Sequence, residues 1–164
     1  MNSKEYRPGG LYFEELSIGD KMVTPGRTVT EADIVAFCGL SGDYNELHSN
    51  TEYAKQTPFG QRIAHGLLGL AITSGLTGRL GLMEGTAQAF MGLEWKFKRP
   101  IFVGDTVQVR ASVTHKREIK RLGGGLVIFD IALLNQNSEV VQEGRWTILL
   151  KSRSAAAEEK GQAQ

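Results

Sequence analysis

The chain has 164 residues, 41% of them hydrophobic and 23% charged, the balance of one ordinary soluble domain able to bury roughly two-thirds of its unfolded surface. A net charge of +1 gives no reason to expect nucleic acid or an anionic membrane as the main partner. The single cysteine, Cys38, allows no intrachain disulfide, and there is neither a charged-then-apolar leader nor an apolar run of membrane-spanning length, so the expected compartment is the reducing cytoplasm.

In chain order, residues 1–10 are polar and glycine-containing and read as a loose arm ahead of a domain over 11–151. Ser17-Ile18-Gly19-Asp20 reads as a turn into a strand over 21–29. Thr30 can cap the helix that follows, with Asp33 three positions on as a variant capping box. Ile34, Phe37 and Cys38 share one face of that helix, which should end near Gly39. Ser49, with Glu52 three residues later, reads as the cap of a second short helix. His48 then precedes a helix N-terminus, whose partial positive charge would bias its imidazole toward the neutral form.

Residues 66–80 are apolar almost all round, through Leu67, Leu68, Leu70, Ala71, Ile72 and Leu76, the pattern of a buried helix. Gly66, Gly69, Gly75 and Gly78 would each cost about 1 kcal/mol in a surface helix but make steric sense in one wrapped closely by a sheet. Strands follow. Leu93, Trp95 and Phe97 alternate with Glu94, Lys96 and Lys98, as in a strand with one wet face. Val107, Val109, Ala111 and Val113 repeat the pattern, as do Val127, Phe129, Ile131 and Leu133 after a glycine turn at 123–125. Residues 140–150 supply a last strand carrying Trp146, Ile148 and Leu150. The implied class is α+β, an antiparallel sheet wrapped around one buried helix. Residues 152–164 are small, polar and charged and read as disordered.

Ser41-Gly42-Asp43-Tyr44-Asn45-Glu46-Leu47-His48 is the richest stretch. Asp43 and His48 can be a turn cap and a surface histidine, or two proton-transfer groups aimed at one spot. Gly66 opens the buried helix. It serves close packing, or its unpaired N–H, in the positive end of the helix dipole, holds a developing oxyanion. The Ser74 hydroxyl can bond back to a carbonyl one turn earlier or face a site. His65 can be a second catalytic base, but beside the helix start it is expected to orient backbone or bond a carbonyl, and His115 to be structural or exposed. No Cys or carboxylate stands at ligand spacing with these histidines, so no metal site is expected. Lys116, Arg117, Lys120 and Arg121 form a solvated hairpin end or a contact for a phosphate-bearing substrate.

Residues 41–74 resemble the hydratase motif of the MaoC-like, (R)-specific enoyl-CoA hydratases, which have the hotdog fold. The likeness lies in Gly42-Asp43-Tyr44-Asn45, His48, Phe59, Ile63-Ala64-His65-Gly66 and Ser74, and extends to Arg99-Pro100-Ile101-Phe102-Val103-Gly104-Asp105. It covers about residues 11–150. The resemblance implies that Asp43 and His48 hold and activate a water for attack on C3 of a trans-2-enoyl thioester, with Gly66 N–H on the thioester oxygen. Ser74 matches a serine that hydrogen-bonds within the site, and Asn45 a position that supports the loop. Adding water to such a thioester needs a base, an acid for C2 and an oxyanion donor, with no cofactor beyond the coenzyme A of the substrate. Glu46 stands where many members have Pro, which loosens the loop and leaves the acyl group open. The rivals are a dehydratase for a short branched or carboxylated acyl-CoA, an acyl-CoA thioesterase and a non-catalytic acyl-CoA-binding subunit. Single hotdog domains leave a sheet edge and one side of the pocket unfinished, so a homodimer with two interfacial sites is expected.

Overall fold

The structure, a computed structural model, describes residues 9–155. Most of the arm expected over 1–10 lies outside the described residues, but Gly10 is buried and Leu11 N–H donates to the Leu82 carbonyl at 2.7 Å. The packed domain therefore begins earlier than the sequence suggests.

Lys21–Val23 (β1) and Arg27–Thr28 (β2) replace the single strand expected over 21–29, and both pair antiparallel with Thr106–Ile119 (β4). Pro25 stands between them, and a residue without an N–H cannot extend a ladder. Glu31–Ser41 (α1) starts as expected, with Asp33 Oδ2 accepting the Thr30 N–H at 2.8 Å. It runs past Gly39 and ends at Gly42, whose φ of 76° is the left-handed geometry that glycine adopts freely. Two one-turn helices come next, Glu46–Ser49 (α2) and Thr51–Lys55 (α3). Their caps are Asn45 and Asn50, each accepting backbone N–H bonds on Oδ1, in place of the cap expected at Ser49.

The central helix, Gly66–Gly78 (α4), forms where expected but is covered on one face only. Leu68, Gly69, Ile72, Thr73 and Leu76 are buried, whereas Leu67 is 61% exposed and Ala71, Ser74, Gly75 and Gly78 share its open side. Of the four glycines, only Gly66 and Gly69 are closely approached, by Phe97 and Gln142; a Cβ at Gly75 or Gly78 would meet nothing within 4 Å.

Ala87–Phe97 (β3), β4, Gly124–Leu134 (β5) and Val140–Lys151 (β6) complete an antiparallel sheet of order β1-β4-β5-β6-β3. Val107, Val109, Val113, Val127, Phe129, Ile131, Trp146 and Ile148 face Ile72 and Leu76 in one core. This is the hotdog arrangement expected from the sequence. β3 departs from its expected pattern, because it is an edge strand and Phe90, Met91, Leu93 and Phe97 are 46–55% exposed. Beyond β6, Ser152 is buried and Arg153 pairs with Glu15 at 2.8 Å, so order continues past the expected boundary; residues 156–164 lie outside the described part. No helix among the described residues is long and apolar enough to cross a membrane.

Candidate active site

The turn after α1 is built from side chain to backbone bonds. Ser41 Oγ donates to the Phe37 carbonyl and accepts the Asp43 N–H, and Asp43 Oδ1 accepts the Asn45 N–H at 3.1 Å. Asn45 Oδ1 then caps α2 through Leu47 N–H. Glu46 is the first residue of α2, where a proline or an acidic side chain suits a helix start. Its carboxylate accepts from Asn50 Nδ2 at 2.9 Å, so it ties α2 to α3, and the loosening expected from the absence of Pro has a local remedy.

His48 lies in the last turn of α2, so the helix-dipole argument for its neutral form does not hold. A different contact sets its state. Nδ1 is 2.8 Å from the Ile63 carbonyl, and a carbonyl only accepts, so Nδ1 carries a proton and, in the neutral ring, the lone pair is on Nε2. His65, 2% exposed, places Nε2 2.9 Å from the Asp43 carbonyl, as expected of a histidine that bonds a carbonyl. By the same logic its Nδ1 is unprotonated, and it is buried without a partner among the described residues. The two imidazoles stack at 3.8 Å and 29°, and Phe37 packs against His65 at 4.9 Å.

One carboxylate oxygen of Asp43 and one ring nitrogen from each of His48 and His65 lie within 4.8 Å of one another. Two hydrogen bonds of about 2.8 Å meeting at a tetrahedral angle span about 4.6 Å, a distance comparable with the 4.8 Å within which these atoms lie. The expectation that no carboxylate stands near these histidines does not hold, since Asp43 lies beside both; the rings themselves are stacked. Imidazole lone pairs lie in the ring planes, and stacked rings do not converge on one ion about 2 Å away.

Below His48 opens a cleft of about 660 Å³, lined among others by Phe59, Ile63, Gly66, Leu67 and Phe97. Gly66 is the first residue of α4, so its N–H has no carbonyl one turn back. Ser74 is not brought here within one chain. It stands about 12 Å further along α4, on the open side, and its hydroxyl makes no hydrogen bond among the described residues. The back-bonding expected of it is done by Thr73 Oγ1 to the Gly69 carbonyl and by Thr77 Oγ1 to those of Thr73 and Ser74.

Two features escaped the sequence reading. Arg62 clasps Glu31 through both oxygens at 2.7 Å, which pins the start of α1 to the segment before α4. The Arg62 hydrogen bond holds the Glu31 carboxyl below its ordinary pKa, and Glu31 in turn raises that of Arg62. Gln142, 2% exposed on β6, reaches the first turn of α4. Its parity with Trp146, Ile148 and Leu150 marked it as an inward polar residue.

The basic cluster is remote. The β4–β5 hairpin pairs with Lys151, and the cleft with Gln142, about 30 Å apart along β6. Lys116 turns inward, with Nζ 4.4 Å from the Phe13 ring centroid and donating to the Leu16 carbonyl, and burial lowers its pKa. His115 is exposed. A second depression of about 630 Å³, on the outer sheet face, is floored by Arg110, Asp130, Glu143 and Arg145 and holds no acid/base pair with an oxyanion donor.

The sequence profile of the MaoC like domain matches residues 14–127, which include Asp43, His48 and Gly66. The chain is 38% identical over 117 residues to Protein MaoC of Klebsiella aerogenes, taking in 71% of this chain and 34% of that protein, so it spans about a third of that relative. It is 33% identical over 142 residues to an (R)-specific enoyl-CoA hydratase of Rhodospirillum rubrum, covering 87% of this chain and 93% of the relative. Among solved structures, the monoamine oxidase regulatory protein from Archaeoglobus fulgius matches with a TM-score of 0.82 at 34% identity, over 91% of this chain and 99% of that one. Sequence profile, identity and fold thus agree over most of the described domain: the chain belongs to the MaoC-like domain family.

Proposed function

We propose that the chain is an enzyme that adds water to a trans-2-enoyl-CoA to give an (R)-3-hydroxyacyl-CoA, or catalyses the reverse dehydration. The observation that carries this reading is the spacing of Asp43 and His48, within 4.8 Å, beside a cleft that Gly66 also lines. A water between the two side chains gives its oxygen to C3 and one proton to the pair. The pair returns one proton to C2. His48 Nε2, with Nδ1–H engaged by Ile63, is the ready acceptor, and Asp43 holds the water's other side. As attack proceeds, charge gathers on the thioester oxygen, where the Gly66 N–H at the positive end of α4 stabilises it. The reaction needs no electron acceptor, and coenzyme A enters as part of the substrate. Support comes also from the relative named as an (R)-specific enoyl-CoA hydratase.

His65 and Asn45 are positioning residues for the Asp43 turn. Ser74 faces the open side of α4, and it joins a site only if a second copy covers that side. We place the active form as a homodimer that closes the β3 edge, and the buried free thiol of Cys38 suits a cytoplasmic enzyme.

The test follows the conjugated-thioester absorbance of crotonyl-CoA beside a free-thiol assay. Wild type is expected to consume the enoyl band without thiol release, and Asp43→Asn to lower kcat by roughly 10²- to 10⁴-fold. Thiol release dependent on Asp43 would move the chain to the thioesterases. Inertness toward a full panel of straight, branched and carboxylated enoyl-CoAs would overturn the enzymatic reading.

A further inference from the structure

The first turn of α4 is held from outside the helix. Gln142 Nε2 donates to the Gly66 carbonyl at 3.0 Å, and Trp95 Nε1 donates to Gln142 Oε1 at 2.9 Å. The orientation of this amide is fixed by its partners, since an indole N–H only donates and a carbonyl only accepts. The relay fits because Gly69 leaves room for it. A Cβ there would collide with the Gln142 carboxamide, and a Cβ at Gly66 would lie 2.8 Å from the Phe97 ring. Phe97 and Gln142 are directly paired across β3 and β6, so neighbouring sheet positions grip the same helix turn.

Gly66 is the residue for which this grip matters most. Glycine has the widest backbone freedom, and the direction of its N–H depends on two soft dihedrals. His65, buried against Phe37 and bonded to the Asp43 carbonyl, fixes the peptide before Gly66, and Gln142 fixes the peptide after it. We propose that Gln142, braced by Trp95, is a positioning residue that aims the Gly66 N–H at the thioester oxygen. The proposal rests on the hydratase reading and deepens it. Misaim of an oxyanion donor weakens an interaction made most strongly in the transition state, so the loss falls on kcat and spares ground-state binding.

The experiment compares wild type, Gln142→Met, Trp95→Phe, Gly69→Ala and the Trp95→Phe/Gln142→Met double variant in hydration of whichever enoyl-CoA the wild type accepts. Gln142→Met is expected to lower kcat about 10- to 100-fold with KM within about threefold. Trp95→Phe should lose less, and the double variant no more than Gln142→Met alone, since the two act through one contact. Gly69→Ala retains the Gln142 side chain but pushes its carboxamide aside, and should reproduce the kcat loss even if Gln142→Met does not fold. In an Asp43→Asn background, infrared difference spectra of the bound enoyl-CoA report carbonyl polarisation directly. The downshift on binding should shrink with Gln142→Met and with Gly69→Ala.

Folded variants with unchanged kcat, or with an unchanged carbonyl shift, overturn the positioning role while leaving hydration intact. An equal loss in kcat/KM carried entirely by KM would do the same. A wild type that hydrates no enoyl-CoA, and an Asp43→Asn protein that shifts no carbonyl, would instead remove the parent reading.

Discussion

The His48 ring is oriented by an atom that no side-chain motif names. The Ile63 carbonyl, 2.8 Å from Nδ1, chooses the tautomer, and the stacked ring of His65 holds the plane. Asp43 and His48 were readable as a pair because five positions and a Gly turn bring two polar groups together; the agent that fixes His48 was not, since it is the backbone carbonyl of a distant segment, whereas Asp43 is held by its neighbours Ser41 and Asn45 and by the His65 side chain. His65→Phe keeps the stacking surface and deletes the bond to the Asp43 carbonyl. It is expected to lower kcat by about tenfold or more through a displaced Asp43, while crotonyl-CoA binding measured in the Asp43→Asn background changes little. The Glu31–Arg62 clasp gives a stability prediction with a definite sign. Glu31 has a folded pKa below its unfolded value, so its contribution is present above the ordinary carboxylate pKa and is lost as pH falls through the folded one. Half-exposed, with 50% of its side chain accessible, the pair is worth about 1 kcal/mol or less. Arg62→Met should therefore lower Tm by about 1–3 °C at pH 7, and the gap should narrow as pH falls below the ordinary carboxylate range and Glu31 is protonated in the folded state. A gap that does not narrow in thermal melts at acid pH would show that packing of the Arg62 stem, rather than charge, is what was lost.

At the scale of elements, the turn that carries Asp43 depends on how α1 stops. Gly42 takes the left-handed conformation at its C-cap, and a Cβ there would meet nothing within 4 Å. Gly42→Ala therefore tests backbone strain alone. It should cost about 1 kcal/mol, read as a lower denaturation midpoint, and lower kcat as Asp43 moves. A stability loss with full activity would uncouple the cap from the site. The sequence carried two glycines near this end, Gly39 and Gly42, and periodicity favoured the first because the apolar face stops at Cys38. Hydrogen bonding decided for the second. The same limit applies to β1 and β2, where an apolar pattern ran through Pro25 but the ladder could not. Strands β4, β5 and β6 were legible because alternation records which face meets the core. The central helix was legible as an element, while its half-open surface was not, since an apolar face reads alike whether its own chain or another covers it.

The whole molecule leaves one long side unfinished. Among the described residues β3 pairs on one edge only, its Phe90, Met91, Leu93 and Phe97 are about half exposed, and the open face of α4 presents Leu67, Ala71 and Ser74. An eleven-residue edge strand is a template for strand addition, and soluble proteins blunt such edges with charge or cover them. This one is not blunted along 89–93, a stretch without a charged residue. A second copy related by a two-fold axis would bury it in a continuous sheet, and a stable pairing of this kind needs about 800 Å² from each partner. The cleft lies at the same boundary, because Phe97 and Leu67 line it and are themselves exposed. Association and activity should then fall together. Leu93→Lys places a charge on the edge without touching Asp43, His48 or Gly66. It is expected to shift the protein from dimer to monomer in light scattering at micromolar concentration, with kcat/KM for crotonyl-CoA falling at least tenfold. A fully active monomer, in the variant or in dilute wild type, would mean that one chain closes its own pocket and that the β3 edge is protected by something other than a second copy.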